Sequence, residues 1–116
     1  MAKLENYLET YRKRAGLSQR EIAFLLGAQS GAKVCRYERL WERPQLPTLL
    51  AYEKIFSAPM KELFAGASEK VEETIPKRAK ALIAQLEASN ANAMTAQKLA
   101  FLNALAATPE PEPENP

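Results

Sequence analysis

The feature that most constrains this chain is a stop–start–stop signal between Gly16 and Gly27. Gly16 can end a helix in the left-handed conformation that residues with a Cβ avoid. Ser18-Gln19-Arg20-Glu21 then has the form of a capping box. The serine hydroxyl accepts from the backbone of the third helical residue, whose glutamate reaches back to the serine N–H. Gly27 supplies the next stop. Helices this short are marginal alone, so they must be held by packing against one another.

The flanks repeat the theme. From Lys3 to Arg14, Leu4, Tyr7, Leu8 and Tyr11 fall at i, i+3, i+4 and i+7, which predicts one apolar helix face. Arg12, Lys13 and Arg14 suit the negative end of its dipole. Ile22, Ala23 and Leu26 point inward from the second helix. Ser30 can cap a third helix carrying Val34 and Tyr37, and Pro44 and Pro47 bound a loop. Leu49, Leu50, Tyr52, Ile55 and Phe56 mark a fourth helix, and Pro59 opens a short fifth with Met60, Leu63 and Phe64. No useful stretch alternates with period two, so the expectation is all-α.

The composition changes after Gly66. Residues 68–74 are polar and acidic, and Pro76 is expected to break or start a helix. Ala79, Leu82, Ile83 and Leu86 form an amphipathic stripe. Residues 89–92 suggest a turn before a last helix near Thr95–Ala107, carrying Leu99, Phe101, Leu102 and Leu105. The expected organisation is a five-helix head over 1–66, a helical segment over 67–107 and a disordered Pro/Glu tail over 108–116.

Missing residue types narrow the function. The 116 residues contain no histidine and no aspartate, and one cysteine, Cys35. Imidazole bases, His metal sites and Asp clusters are thereby excluded, and a lone thiol is a poor nucleophile. The four glycines are too scattered for a phosphate loop. The expectation is no enzyme, no cofactor and no metal. Absence of an apolar run of membrane length and of a secretory leader predicts a cytoplasmic protein with no membrane contact. The net charge of +2 hides an asymmetry: residues 1–64 carry 11 Lys and Arg against 7 Glu, residues 65–116 carry 5 against 7. A basic head suits a polyanion, although many neutral binders show as mild an excess.

Two short helices joined by a glycine-containing turn make a helix-turn-helix. Ala23 is small enough for a close crossing, Gly27 leaves the first helix and Val34 anchors the second. The text GLSQREIAFLLG, then RYER, then LPTLLAYEKIFSAPMKELF ending in Glu62-Leu63-Phe64, resembles the Cro/C1-repressor-type (XRE) helix-turn-helix family over about Leu4–Phe64. The resemblance implies a lambda-repressor-like head that binds double-stranded DNA, most simply a dimeric transcriptional repressor. Gly27 to Val34 spans seven positions where the family usually has six, which lengthens the turn by a residue. Phe24 and Leu25 are apolar where the family exposes polar side chains, and Glu53 stands where a small residue is more common.

Carried over by position, Gln19 resembles a phosphate contact beside the second helix. Ser30, Gly31, Ala32 and Lys33 resemble the first turn of the recognition helix, about Ser30–Arg39, in the major groove. Lys33 and Arg36 are the side chains best suited to guanine acceptors, with Gln29 as a further candidate in the lengthened turn. Arg39 and Arg43 resemble the phosphate-contacting loop. The alternative for Lys33 and Arg36, less favoured given the motif, is a solvated helix face, and Glu42 could pair with Arg39 or Arg43. Arg12 and Glu38 resemble a structural ion pair of the family. Cys35 is expected at an outward or boundary position, and Trp41 either covers the loop or stacks on the nucleic-acid backbone. Phe24, Leu25 and the Ala79 to Leu86 stripe are surfaces for a homodimer, or for an internal lid. An alternative class is an antitoxin or adaptor that acts on a protein partner through its C-terminal helices.

Overall fold

Seven helices and no strand make up residues 4–89 and 92–107, the part of the chain that the computed structural model describes. They are α1 (Leu8–Ala15), α2 (Gln19–Leu26), α3 (Gly31–Glu38), α4 (Leu46–Phe56), α5 (Met60–Leu63), α6 (Ala65–Glu87) and α7 (Ala93–Ala106). The chain divides into two units, Met1–Ser68 and Glu69–Pro116, with the boundary inside α6. The expected tail at 108–116 lies outside the described residues.

Local chemistry sets the ends of α1 and α2. Gly16 and Gly27 take φ of 74° and 72°, the left-handed values their lack of Cβ permits. The N–H groups that follow turn back onto orphan carbonyls, Leu17 to Arg12 at 3.2 Å and Ala28 to Ala23 at 2.8 Å. The capping box is complete: the Glu21 N–H donates to the Ser18 hydroxyl, and the Ser18 N–H donates to the Glu21 carboxylate. Those contacts hold the Glu21 carboxyl below its ordinary range. Ser30 is the N-cap of α3 in extended backbone, without a side-chain cap bond.

The core of the first unit joins all five short helices. Leu8, Ile22, Val34, Tyr52 and Leu63 are fully buried, with Ala23, Tyr37 and Ala58 around them. Each fully buried aliphatic side chain contributes about 1.5–3 kcal/mol. Tyr52 stacks on Phe56 at 5.9 Å and meets Tyr37 edge-on at 6.4 Å. One ion pair crosses this core. Arg12 Nε donates to Glu38 Oε2 at 2.7 Å and its NH2 to Oε1 at 3.2 Å, with the side chains 11% and 3% exposed. The same arginine donates to the Leu17 carbonyl, and Gln19 Nε2 donates to Glu38 Oε1 at 3.0 Å. Four segments therefore meet at one ion pair: the Glu38 carboxylate at the end of α3 takes α1 and the start of α2, and Arg12 holds the α1–α2 link.

Several boundaries differ from the sequence expectation. α1 begins at Leu8 rather than near Lys3, because the Asn6 side chain accepts from the Leu8 N–H and forms a local turn that competes with helix. The lead-in is tied down instead, with the Tyr7 N–H on the Leu63 carbonyl and the Gly66 N–H on that of Leu4. α4 begins at Leu46, with Pro47 in its first turn, where the missing N–H has no helical partner to lose. Residues 68–74 are helical, and α6 runs through Pro76, which neither breaks nor starts it. The ring removes one ladder hydrogen bond, which the rest of a 23-residue helix tolerates.

In the second unit, α7 opens at Ala93. Asn92 caps it by accepting from Met94 and Thr95, and Thr95 accepts in return from the Asn92 N–H. Of the expected stripe, Ala79 is buried, Ile83 and Leu86 are half-buried and Leu82 is exposed. Thr95 and Leu102 are buried on α7, while Met94 and Phe101 are exposed. No helix among the described residues is long and apolar enough to cross a membrane.

Two measurements check the core. Glu38→Ala is expected to destabilise the protein by about 3–5 kcal/mol in urea unfolding, since it strands a buried guanidinium. The double change Arg12→Met with Glu38→Leu is expected to recover most of that loss. The Tyr52 hydroxyl is buried without a hydrogen-bond partner, and burial, with Glu38 and Tyr37 adding, pushes its pKa well above the ordinary value of 10. A raised folded pKa means stability that is complete below pH 10 and lost as pH climbs toward the folded value. Tyr52→Phe is expected to be neutral or up to about 1 kcal/mol stabilising at pH 7. Above pH 10 it should unfold less readily than the parent, as followed by circular dichroism.

Candidate nucleic-acid interface

The turn between α2 and α3 is residues 27–30, and the two helices pack closely. Val34 and Tyr37 face the core, so the opposite side of α3 is left outward. Ala32, Arg36 and Arg39 lie on that outer side at i, i+4 and i+7, with Lys33 on its flank. Ala32 and Arg39 are exposed, while Lys33 and Arg36 are about two-fifths open, at 37% and 43% of their side chains. Gln29 and Ser30, both exposed, stand between two depressions. One of about 410 Å³ runs along Lys33, Arg36, Tyr37 and Thr48; the other, about 470 Å³, runs along Arg20, Phe24 and Gly31.

Gly31 has a role that its sequence position did not reveal. A Cβ placed there would sit 3.2 Å from the backbone nitrogen of Arg20 and 3.4 Å from its Cα. The first turn of α3 therefore lies directly against the first turn of α2, and its lack of side chain permits that approach. Ala23, which is buried, serves the crossing from the other helix. Gln19 is half-buried and gives its amide nitrogen to Glu38, so its side chain is already part of the core network.

The loop after α3 turns back at Leu40, whose φ of 58° is left-handed. The N–H groups of Trp41 and Glu42 then both return to the Arg36 carbonyl, at 2.9 and 3.3 Å. This reversal brings the Glu42 carboxylate onto Lys33 Nζ, and within 3.8 Å of Arg36 Nε. The expected partner of Glu42, Arg39 or Arg43, is thus corrected: it pairs with the two cations of α3. Arg39 lies over the Trp41 ring at 5.4 Å from its centre, and Arg43 is exposed. Trp41 itself is 72% exposed, so it does not pack into the core. Cys35 is half-buried, at the boundary position expected for it. Lys33 Nζ also lies 5.7 Å from the centre of the Tyr37 ring, a cation–π distance.

The contact of Gly31 with α2 gives a test. In a helix, Gly→Ala usually stabilises by about 1 kcal/mol. Gly31→Ala is expected to show none of that gain, and Gly31→Val to lose about 1–3 kcal/mol in chemical unfolding, because the side chain meets backbone that cannot rotate away. Comparison of the chain with protein-family models, with curated proteins and with solved structures finds no match.

Proposed function

We propose that this chain is a sequence-specific double-stranded DNA-binding regulator of the XRE helix-turn-helix type, acting as a repressor, with α3 as its recognition helix. The observation that carries the reading is the pairing of a tightly crossed α2 and α3 with an outward α3 face that holds two cations, flanked by a basic loop. A helix about 10–12 Å across fits the major groove, which is about 12 Å wide. Lys33 and Arg36 supply donors for guanine O6 and N7. Gln29, Ser30, Gly31 and Ala32 line the end of the helix that approaches the base edges. Arg39 and Arg43 would meet phosphates, and with the Gln19 side chain given to Glu38 its phosphate contact would fall to the Gln19 backbone N–H. The reading is of a binding protein rather than an enzyme.

One recognition helix makes a small interface, so the protein is proposed to bind as a homodimer to a palindrome. The exposed Phe24 and Leu25 of α2, and Leu82, Met94 and Phe101 of the second unit, are apolar surface available for self-association. The same exposed residues of α6 and α7 favour a second reading, an antitoxin or adaptor whose C-terminal helices hold a protein partner.

Selection of bound duplexes from random DNA, with the mass of the complex, tests the proposal. Enrichment of a palindrome by a two-chain complex is expected; no enrichment would sink it. Arg36→Ala should weaken the selected site by about 1–3 kcal/mol while hardly changing binding to unrelated duplexes. An equal loss on all sequences would assign Arg36 to the phosphates instead.

A further inference from the structure

The two cations best placed to meet bases are not bare. Glu42 holds both of them, and nothing in the composition of α3 explains why a carboxylate should be returned there. Its position is built by the backbone: a left-handed Leu40 and two N–H groups converging on the Arg36 carbonyl fix where residue 42 begins. Its carboxylate touches Lys33 Nζ and approaches Arg36 Nε at 3.8 Å, with about a third of the Glu42 side chain exposed. A carboxylate with two oxygens shared between an ammonium and a guanidinium is in charge and geometry what a backbone phosphate would offer the same pair.

From this we infer that Glu42 is an internal phosphate mimic, a specificity-determining residue that occupies Lys33 and Arg36 and keeps them off the DNA backbone. The inference rests on the DNA-binding reading for its biological meaning, but the competition itself is with any polyanion. In complexes with unrelated sequence the two cations stay with Glu42, and binding proceeds through the other basic groups, Arg39 and Arg43 among them. At a cognate site they leave Glu42 for base acceptors, whose fixed positions let a guanine take two donors at once. A partly exposed pair is weak enough for that exchange. The arrangement therefore reserves the cations of α3 for bases.

The test compares the parent, Glu42→Gln and Glu87→Gln, the last removing the same charge from an exposed position at the end of α6. Binding to a labelled 30-base-pair duplex of unrelated sequence is titrated by anisotropy between 50 and 200 mM KCl, and elution from a heparin column is recorded. Glu42→Gln is expected to bind the duplex about tenfold tighter than Glu87→Gln. Its log K against log salt should be steeper by about 1 to 2, one unit for each cation released to a phosphate. It should also leave heparin at higher salt. With Lys33 and Arg36 both replaced by Gln, the effect of Glu42→Gln should fall to that of the control. Equal behaviour of Glu42→Gln and Glu87→Gln on duplex and heparin would overturn the inference. If no variant binds duplex, the DNA-binding reading fails, while heparin elution still decides whether Glu42 competes for the cations.

Discussion

Everything in the first unit leans on the contact between Arg12 and Glu38. The helices it joins are eight residues each, too short to persist without partners. Hydrophobic burial brings them together, but apolar contact alone tolerates rotation and sliding. A bidentate pair at 2.7 and 3.2 Å does not. Its burial carries a desolvation penalty, so its value lies less in net stability than in fixing register. By also taking the Gln19 amide, Glu38 sets the end of α3 against the start of α2. Asn6 adds to the same corner by donating to the Tyr37 and Glu38 carbonyls. The outward face of α3 inherits its orientation from that corner.

The other end of α3 is fixed by absence of bulk. At Gly31 the backbones of α2 and α3 approach closely, and at Ala23 only a buried methyl group stands on α2. One end is thus held by charge and the other by close packing. Between them Val34 and Tyr37 fill the core, so the helix has little freedom to rotate about its axis. That rigidity matters for any surface meant to meet the fixed spacing of base edges.

How far the sequence disclosed this depends on the range of each interaction. The capping box at Ser18 and the left-handed Gly16 and Gly27 were legible because each is closed by neighbours within a few residues. The inward Ile22, Val34 and Leu63 were legible from periodicity. The start of α1 was not, since an Asn6 side chain displaced a helical pattern that Leu4 and Tyr7 otherwise satisfy. Pro76 misled because a long helix absorbs one missing hydrogen bond that a short one would not. Within the candidate interface, the position of the α3 face was visible, whereas the partner of Lys33 and Arg36 was not. Glu42 reaches them only through a reversal at Leu40, a residue with no compositional signature for left-handed backbone.

The placement of Trp41 has a practical corollary. It is the chain's single tryptophan, and it stands largely in solvent beneath the Arg39 guanidinium, in the loop after α3. Indole emission from this molecule therefore reports on a surface loop, while the buried rings are the tyrosines 37 and 52. A melting curve followed through tryptophan light therefore reads the surroundings of that loop and not of the core. The loop is the one that carries Glu42, so the indole sits one residue from the acid that pairs with Lys33 and Arg36.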